Sequence, residues 1–153
     1  MNTTVVVCIA LLGILLFLLG AHVTVVAPRT LLPPDTGERF ADAVTDRLDD
    51  VIGDIDVLYL LRMQQERMNE ALVPNLREYT MRFGLTPERA AKLGSQTLVM
   101  HPGPMNRGVE IAVDPPELPG AVITQQVTNG IAVRMAVLFL VNGGKGPQEI
   151  GAS

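Results

Sequence analysis

Two clusters of side chains in this sequence have the types and spacing for chemistry. Arg62, Gln64, Gln65, Glu66 and Arg67 follow directly on the apolar run Val57-Leu-Tyr-Leu-Leu61. A guanidinium is planar, permanently charged and matched to a carboxylate through two parallel hydrogen bonds, and a glutamine amide adds both a donor and an acceptor. Arg62 therefore reads either as a grip on an anionic ligand or as a surface arginine pairing with Glu66 or Asp54. The second cluster, His101-Pro-Gly-Pro-Met-Asn-Arg-Gly108, follows the short apolar run Leu98-Val-Met100. Pro102 and Pro104 restrict the backbone and carry no N–H, so this loop presents carbonyl acceptors in fixed directions. Gly103 permits close approach of a ligand. His101 reads as a loop anchor in preference to a general base.

Both clusters need rigid elements behind them. β-branched and apolar runs predict strands over 22–27, 57–61 and 97–100. A strand over 5–9 and a helix over 11–19, closed by Gly20, are predicted before them. Asp35 or Thr36 can cap a helix in which Phe40, Ala43, Val44, Leu48, Val51 and Ile52 recur at helical spacing, ending at Gly53. Another helix is predicted over 74–83, closed by Gly84, and Thr86-Pro87 marks the start of a short one. The stretch 101–119 holds five prolines and two glycines and reads as a loop. A last helix over 121–141 presents Val127, Ile131, Val133, Met135, Ala136, Leu138 and Phe139 as a buried packing face, with Gln125 and Asn129 as a polar seam against that loop. Strands alternating with helices predict an α/β fold, a parallel sheet with helices on both faces. In such a sheet both clusters leave the carboxyl edge, where open α/β folds bind ligands.

Composition narrows the ligand. The 153 residues suit one domain, and a net charge of −4 with only two Tyr, four Phe and no Trp argues against nucleic acid. One Cys and two distant His offer no metal site, so metal-free chemistry without a cofactor is expected. No charge occurs before Arg29, and residues 5–19 form an apolar run. That run is shorter than the roughly 18–20 residues of a spanning helix, although residues 20–27 extend it. No Lys or Arg precedes it, as a secretory signal would require. A membrane anchor over 5–27 is the alternative reading; a buried strand and helix is favoured.

Three stretches, Leu61-Arg-Met-Gln-Gln-Glu-Arg67, His101-Pro-Gly-Pro-Met-Asn-Arg-Gly-Val-Glu-Ile111 and Gln125-Gln-Val-Thr-Asn-Gly-Ile-Ala-Val-Arg-Met-Ala136, together resemble the aspartate-binding domain of the aspartate carbamoyltransferases. Gly20-Ala-His-Val-Thr-Val-Val-Ala-Pro28 fits the same domain. The sister ornithine enzymes typically carry a Cys after the histidine of the second motif, where this chain has Pro102. The resemblance implies a Rossmann-like domain over 20–142, an apolar segment over 1–19 and a loose tail over 143–153. It implies that Arg62 and Gln64 bind L-aspartate and that Gly103 and Pro104 contact carbamoyl phosphate. His101 and Pro102 would support the loop, and Glu66 and Arg67 would shape the other one. Cytoplasmic pyrimidine synthesis, a homotrimer and no cofactor are further expectations of the family. The family's carbamoyl-phosphate signature, Ser-Thr-Arg-Thr-Arg, does not occur in this sequence. The chain is therefore expected to be a fragment with poor activity of its own; the alternative is a non-catalytic interaction or regulatory fragment that binds full-length carbamoyltransferase subunits, or a membrane-anchored derivative.

Overall fold

The computed structural model describes residues 16, 18–32, 41–63 and 75–144. The strand expected over 5–9, most of the helix expected over 11–19, the cap at Asp35 or Thr36, and the tail beyond Gly144 lie outside the described residues.

Strand β1 (Thr24–Val26) pairs in parallel with β2 (Ala43–Thr45), Thr24 opposite Ala43. Strand β3 (Val57–Tyr59) pairs in parallel with β4 (Leu98–Met100), Val57 opposite Leu98. Among the described residues the two pairs form separate two-stranded sheets rather than one. Pro28 ends β1 by withholding a ladder donor, and a 3-10 turn follows at Arg29–Leu31. Parallel neighbours need a crossover. Between β3 and β4 it carries helix α1 (Leu76–Phe83) and the short α2 (Pro87–Ala90). Asn75 caps α1, its Oδ1 accepting from Glu78 N at 2.7 Å, and Gly84 ends it. A Cβ at Gly84 would lie 2.5 Å from the Val109 carbonyl oxygen, so close backbone approach demands glycine there. Thr86 caps α2 with Pro87 in its first turn.

The core lies where these elements meet. Leu58, Leu60 and Val99 from the β3–β4 sheet pack with Leu48, Ile52, Leu85, Ile111, Leu118 and Ile123, and Val26 of β1 packs partly against them. Arg89, buried on α2, is bound on all sides. It donates to the carbonyls of Gly84 at 2.7 Å and Met81 at 2.8 Å and clasps Asp49 from two nitrogens. Arg89, and then Lys92, hold the Asp49 carboxyl well below the usual carboxylate range.

Two expectations are corrected. The helix expected to run up to Gly53 is absent over 41–52, where β2 and a 3-10 turn at Leu48–Asp50 stand instead. Val44 and Thr45 are β-branched, the partner β1 is available, and Asp42 Oδ2 accepts Val23 N at 2.7 Å, fixing the register. Non-local pairing outweighs a helical spacing that was partly fortuitous. The last helix, α3 (Ile123–Val141), forms as expected, but its apolar face is not buried. Ile131 is 54% exposed, Met135 66% and Leu138 62%, and only Ile123 at the start is buried. Among the described residues, every position from Ile131 to Val141 is exposed. No helix of the described residues is long and apolar enough to cross a membrane, and most of the run 5–27 lies outside them.

Candidate functional site

The parallel register decides where the two clusters emerge. Tyr59 is opposite Met100, and Leu60 N donates to the Met100 carbonyl at 2.9 Å. Counted onward from that pair, Arg62 and Gly103 each lie three residues past the ladder, at the same sheet edge. Arg62 is half-buried between exposed Leu61 and buried Met63. The two loops are also tied directly, because Asn106 Nδ2 donates to the Met63 carbonyl at 2.7 Å. Gln64, Glu66 and Arg67 lie outside the described residues.

The second loop is built on a buried polar pair. His101 is 0% and Glu110 1% exposed, and His101 Nε2 lies 3.1 Å from Glu110 Oε1. That oxygen also accepts Asn106 N at 2.6 Å. Burial alone would raise the Glu110 carboxyl, but hydrogen bonds from His101 and from the Asn106, Glu110 and Met63 backbone outweigh it, and the group sits below its ordinary value. Gly103 N donates to His101 Nδ1 at 2.9 Å. Pro102 and Pro104 carry no N–H, so residues 102–104 turn no backbone donor outward. Gly103 has φ +64°, a left-handed conformation that favours glycine, and its peptide bond to Pro104 is cis. Arg107 closes the far side of the loop on Asp114 at 2.6 Å.

Glu110 also reaches α1. Burial and then the Glu110 charge push the Tyr79 hydroxyl up to about 12. Tyr79 stacks at a tilt on Phe83 with ring centroids 5.3 Å apart. The folded state therefore keeps a proton that the unfolded chain loses near pH 10, and its contribution to stability is full below about pH 10 and lost on the way to about pH 12. Ultraviolet titration of the phenolates is expected to show a late transition near pH 12 that disappears in Tyr79→Phe. A wild-type chain whose tyrosines both titrate near pH 10 would contradict this placement.

Sequence reading missed one residue of the site. It put the polar seam of α3 at Gln125 and Asn129, and both are exposed. Gln126 makes the contacts instead: its Oε1 accepts His101 N at 3.0 Å and its Nε2 donates to the Tyr59 hydroxyl at 3.0 Å. It thus joins the ends of β3 and β4 across the first turn of α3. Among the described residues no group of three or more His, Cys, Asp or Glu side chains is placed to hold a metal.

Chemically, the edge sets a cationic fork beside a loop that offers only acceptors. A small ligand with a carboxylate for the first and an N–H group for the second fits both.

Comparison with known proteins points the same way. The family described as aspartate/ornithine carbamoyltransferase, Asp/Orn binding domain, matches residues 7–141. The aspartate carbamoyltransferase catalytic subunit of Syntrophotalea carbinolica is 51% identical over 127 residues, which is 83% of this chain and 40% of the relative. The subunit of the same name from Acidothermus cellulolyticus is 50% identical over 137 residues, 90% of this chain and 42% of that one. Among solved structures, the aspartate transcarbamoylase of Trypanosoma cruzi in complex with carbamoyl phosphate superposes with a TM-score of 0.62 at 28% identity, covering 76% of this chain and 39% of that one. The same enzyme has been solved with N-(phosphonacetyl)-L-aspartic acid, again with a TM-score of 0.62. The chain spans about 40% of the length of the curated relatives it matches.

Proposed function

The chain belongs to the aspartate/ornithine carbamoyltransferase family, and from that premise we propose that it carries the aspartate-binding half of an aspartate carbamoyltransferase active site. The reaction joins carbamoyl phosphate to L-aspartate and releases N-carbamoyl-L-aspartate and phosphate, a step of pyrimidine synthesis. The observation that carries this reading is the shared sheet edge: Arg62 and the 102–104 loop leave β3 and β4 side by side and are tied through Asn106 and Met63. The relatives named above are aspartate enzymes, and Pro102 stands where the ornithine enzymes typically have Cys.

Each residue then has a physical task. Arg62 pairs with a carboxylate of L-aspartate through its two-bond fork, and Gln64 hydrogen-bonds the same substrate. The carbonyls around Gly103 and Pro104 accept from the amine of aspartate and the amide N–H of carbamoyl phosphate. His101 and Pro102 keep that loop in shape, and Glu66 and Arg67 shape the loop after Arg62. The neutral amine attacks the carbamoyl carbon and a C–N bond forms; the C–O bond to phosphate then breaks, and the proton lost by the amine leaves on the phosphate. Positioning and oriented dipoles account for the rate; no covalent intermediate on the protein is needed. The domain 20–142 does this work in the cytoplasm, as part of a homotrimer whose other domain holds carbamoyl phosphate.

Two measurements on the purified chain test the reading. Calorimetry is expected to show binding of L-aspartate and of succinate, the same dicarboxylate without its amine, and none of L-ornithine; the reverse preference would overturn it. Turnover is expected to be undetectable, because each missing charged partner of a desolvated anion costs about 2–5 kcal/mol and several are missing. Carbamoyl aspartate formed by this chain alone at an ordinary enzymatic rate would contradict the half-site.

A further inference from the structure

We propose that Glu110 is a positioning residue that makes the 102–104 loop acceptor-only by selecting the tautomer of His101, an inference that rests on the reading of this loop as the amine-binding wall. A histidine ring nitrogen either carries a proton or accepts one. Gly103 N, 2.9 Å away, is a donor, so His101 Nδ1 faces it as an acceptor and the ring proton sits on Nε2. Nε2 needs an acceptor in return, and Glu110 Oε1 supplies it at 3.1 Å. With His101 0% and Glu110 1% exposed, the pair is closed off from bulk solvent, and Glu110 is the described acceptor that Nε2 faces. Should the proton move to Nδ1, two N–H groups would oppose each other, and Gly103 would have to turn its amide outward. The outward amide would repel an incoming amine and erase the loop's polarity.

Glu110 can enforce this because it is itself held. Its Oε1 takes the Asn106 amide at 2.6 Å and its carbonyl takes Leu85 N at 3.0 Å. Asn106 in turn reaches the Met63 carbonyl beside Arg62, so one carboxylate sets the loop's polarity and ties it to the guanidinium strand.

Long-range nitrogen–proton spectra of the chain labelled with 15N-histidine, with exposed His22 assigned through His22→Gln, read the tautomer directly, and amide exchange reads Gly103. The wild type is expected to carry its His101 proton on Nε2 and to protect the Gly103 amide. Glu110→Gln, which retains an acceptor oxygen, is expected to keep both features and to bind L-aspartate within about threefold of wild type. Glu110→Leu is expected to lose the tautomer preference, expose the Gly103 amide and bind L-aspartate about tenfold more weakly, the value of one lost hydrogen bond. A wild-type proton on Nδ1, or a folded Glu110→Leu that keeps a protected Gly103 amide and wild-type affinity, would overturn the proposal. Where Glu110→Leu does not fold, the wild-type and Glu110→Gln spectra still decide. Failure of the wild type to bind L-aspartate would remove the functional reading, while the tautomer and exchange results would stand or fall separately.

Discussion

Arg62→Ala is expected to abolish measurable L-aspartate binding by the chain. The guanidinium stands at the sheet edge where β3 and β4 open, and it is half-buried, so its partner anion is taken out of water as it binds. Removing one member of such a pair commonly costs about 2–5 kcal/mol, roughly thirtyfold to several thousandfold in affinity. Arg62→Lys retains the charge without the planar fork and is expected to recover only part of the loss. Arg62 is not among the buried core residues, so the loss is expected first in binding. Calorimetry with an accompanying thermal melt separates the two effects. Equal affinity in Arg62→Ala and wild type would remove Arg62 from the site.

The second large effect is structural. Gly120→Ala is expected to destabilise the chain by about 3 kcal/mol or more, a large share of the stability of a small domain. A Cβ at that position would lie 1.8 Å from the Thr97 carbonyl oxygen and 3.0 Å from its carbon, both backbone atoms that cannot swing aside. The residues concerned lead into β4 and into α3. Val99 N donates to the Gly120 carbonyl at 2.8 Å, and Val122 N to the Val99 carbonyl at 3.0 Å. Making room for a methyl group parts these bonds, and with them the contact that sets Gln126 over His101. Gly53 is the matched control: a Cβ there meets nothing within 4 Å, and Gly53→Ala should be close to neutral. A Gly120→Ala melting temperature within about 2 °C of wild type would contradict the packing described.

Much of the scaffold was legible because it is local. Thr86-Pro87 carries a helix start in its own side chains, and Pro28 and Gly84 carry stops. The strands before both loops were readable from short β-branched or apolar runs followed by polar residues and glycine or proline. Residues 41–52 were misread because Ala43, Val44 and Leu48 fit a helix and a strand almost equally well in isolation. What decides is pairing with β1, nineteen residues away at the Asp42–Val23 bond, which no local window contains. Gln126 was missed by a helical phase. One residue rotates a helix face by about 100°, so an inward face read one position off puts Gln125 where Gln126 makes the contacts. The apolar face of α3 shows the other limit: periodicity identifies a face that suits burial, and says nothing about what is present to bury it.

The buried polar pair was half visible. The His-Pro-Gly-Pro spelling announced a stiff loop of acceptors. That the Gly103 amide is consumed by the histidine two residues before it, and that the histidine leans on Glu110, follows only from the turn of the loop.

All of this depends on Arg62 and the 102–104 loop acting on one small molecule together. Titrating L-aspartate into the 15N-labelled chain and following the amides of Leu61, Arg62 and Met63 alongside those of His101, Gly103 and Met105 tests that directly. Both sets are expected to move in concert, to saturate with one dissociation constant, and to stay still in Arg62→Ala. Movement of one set alone, or two sets saturating at different concentrations, would mean that the two loops do not form a single site.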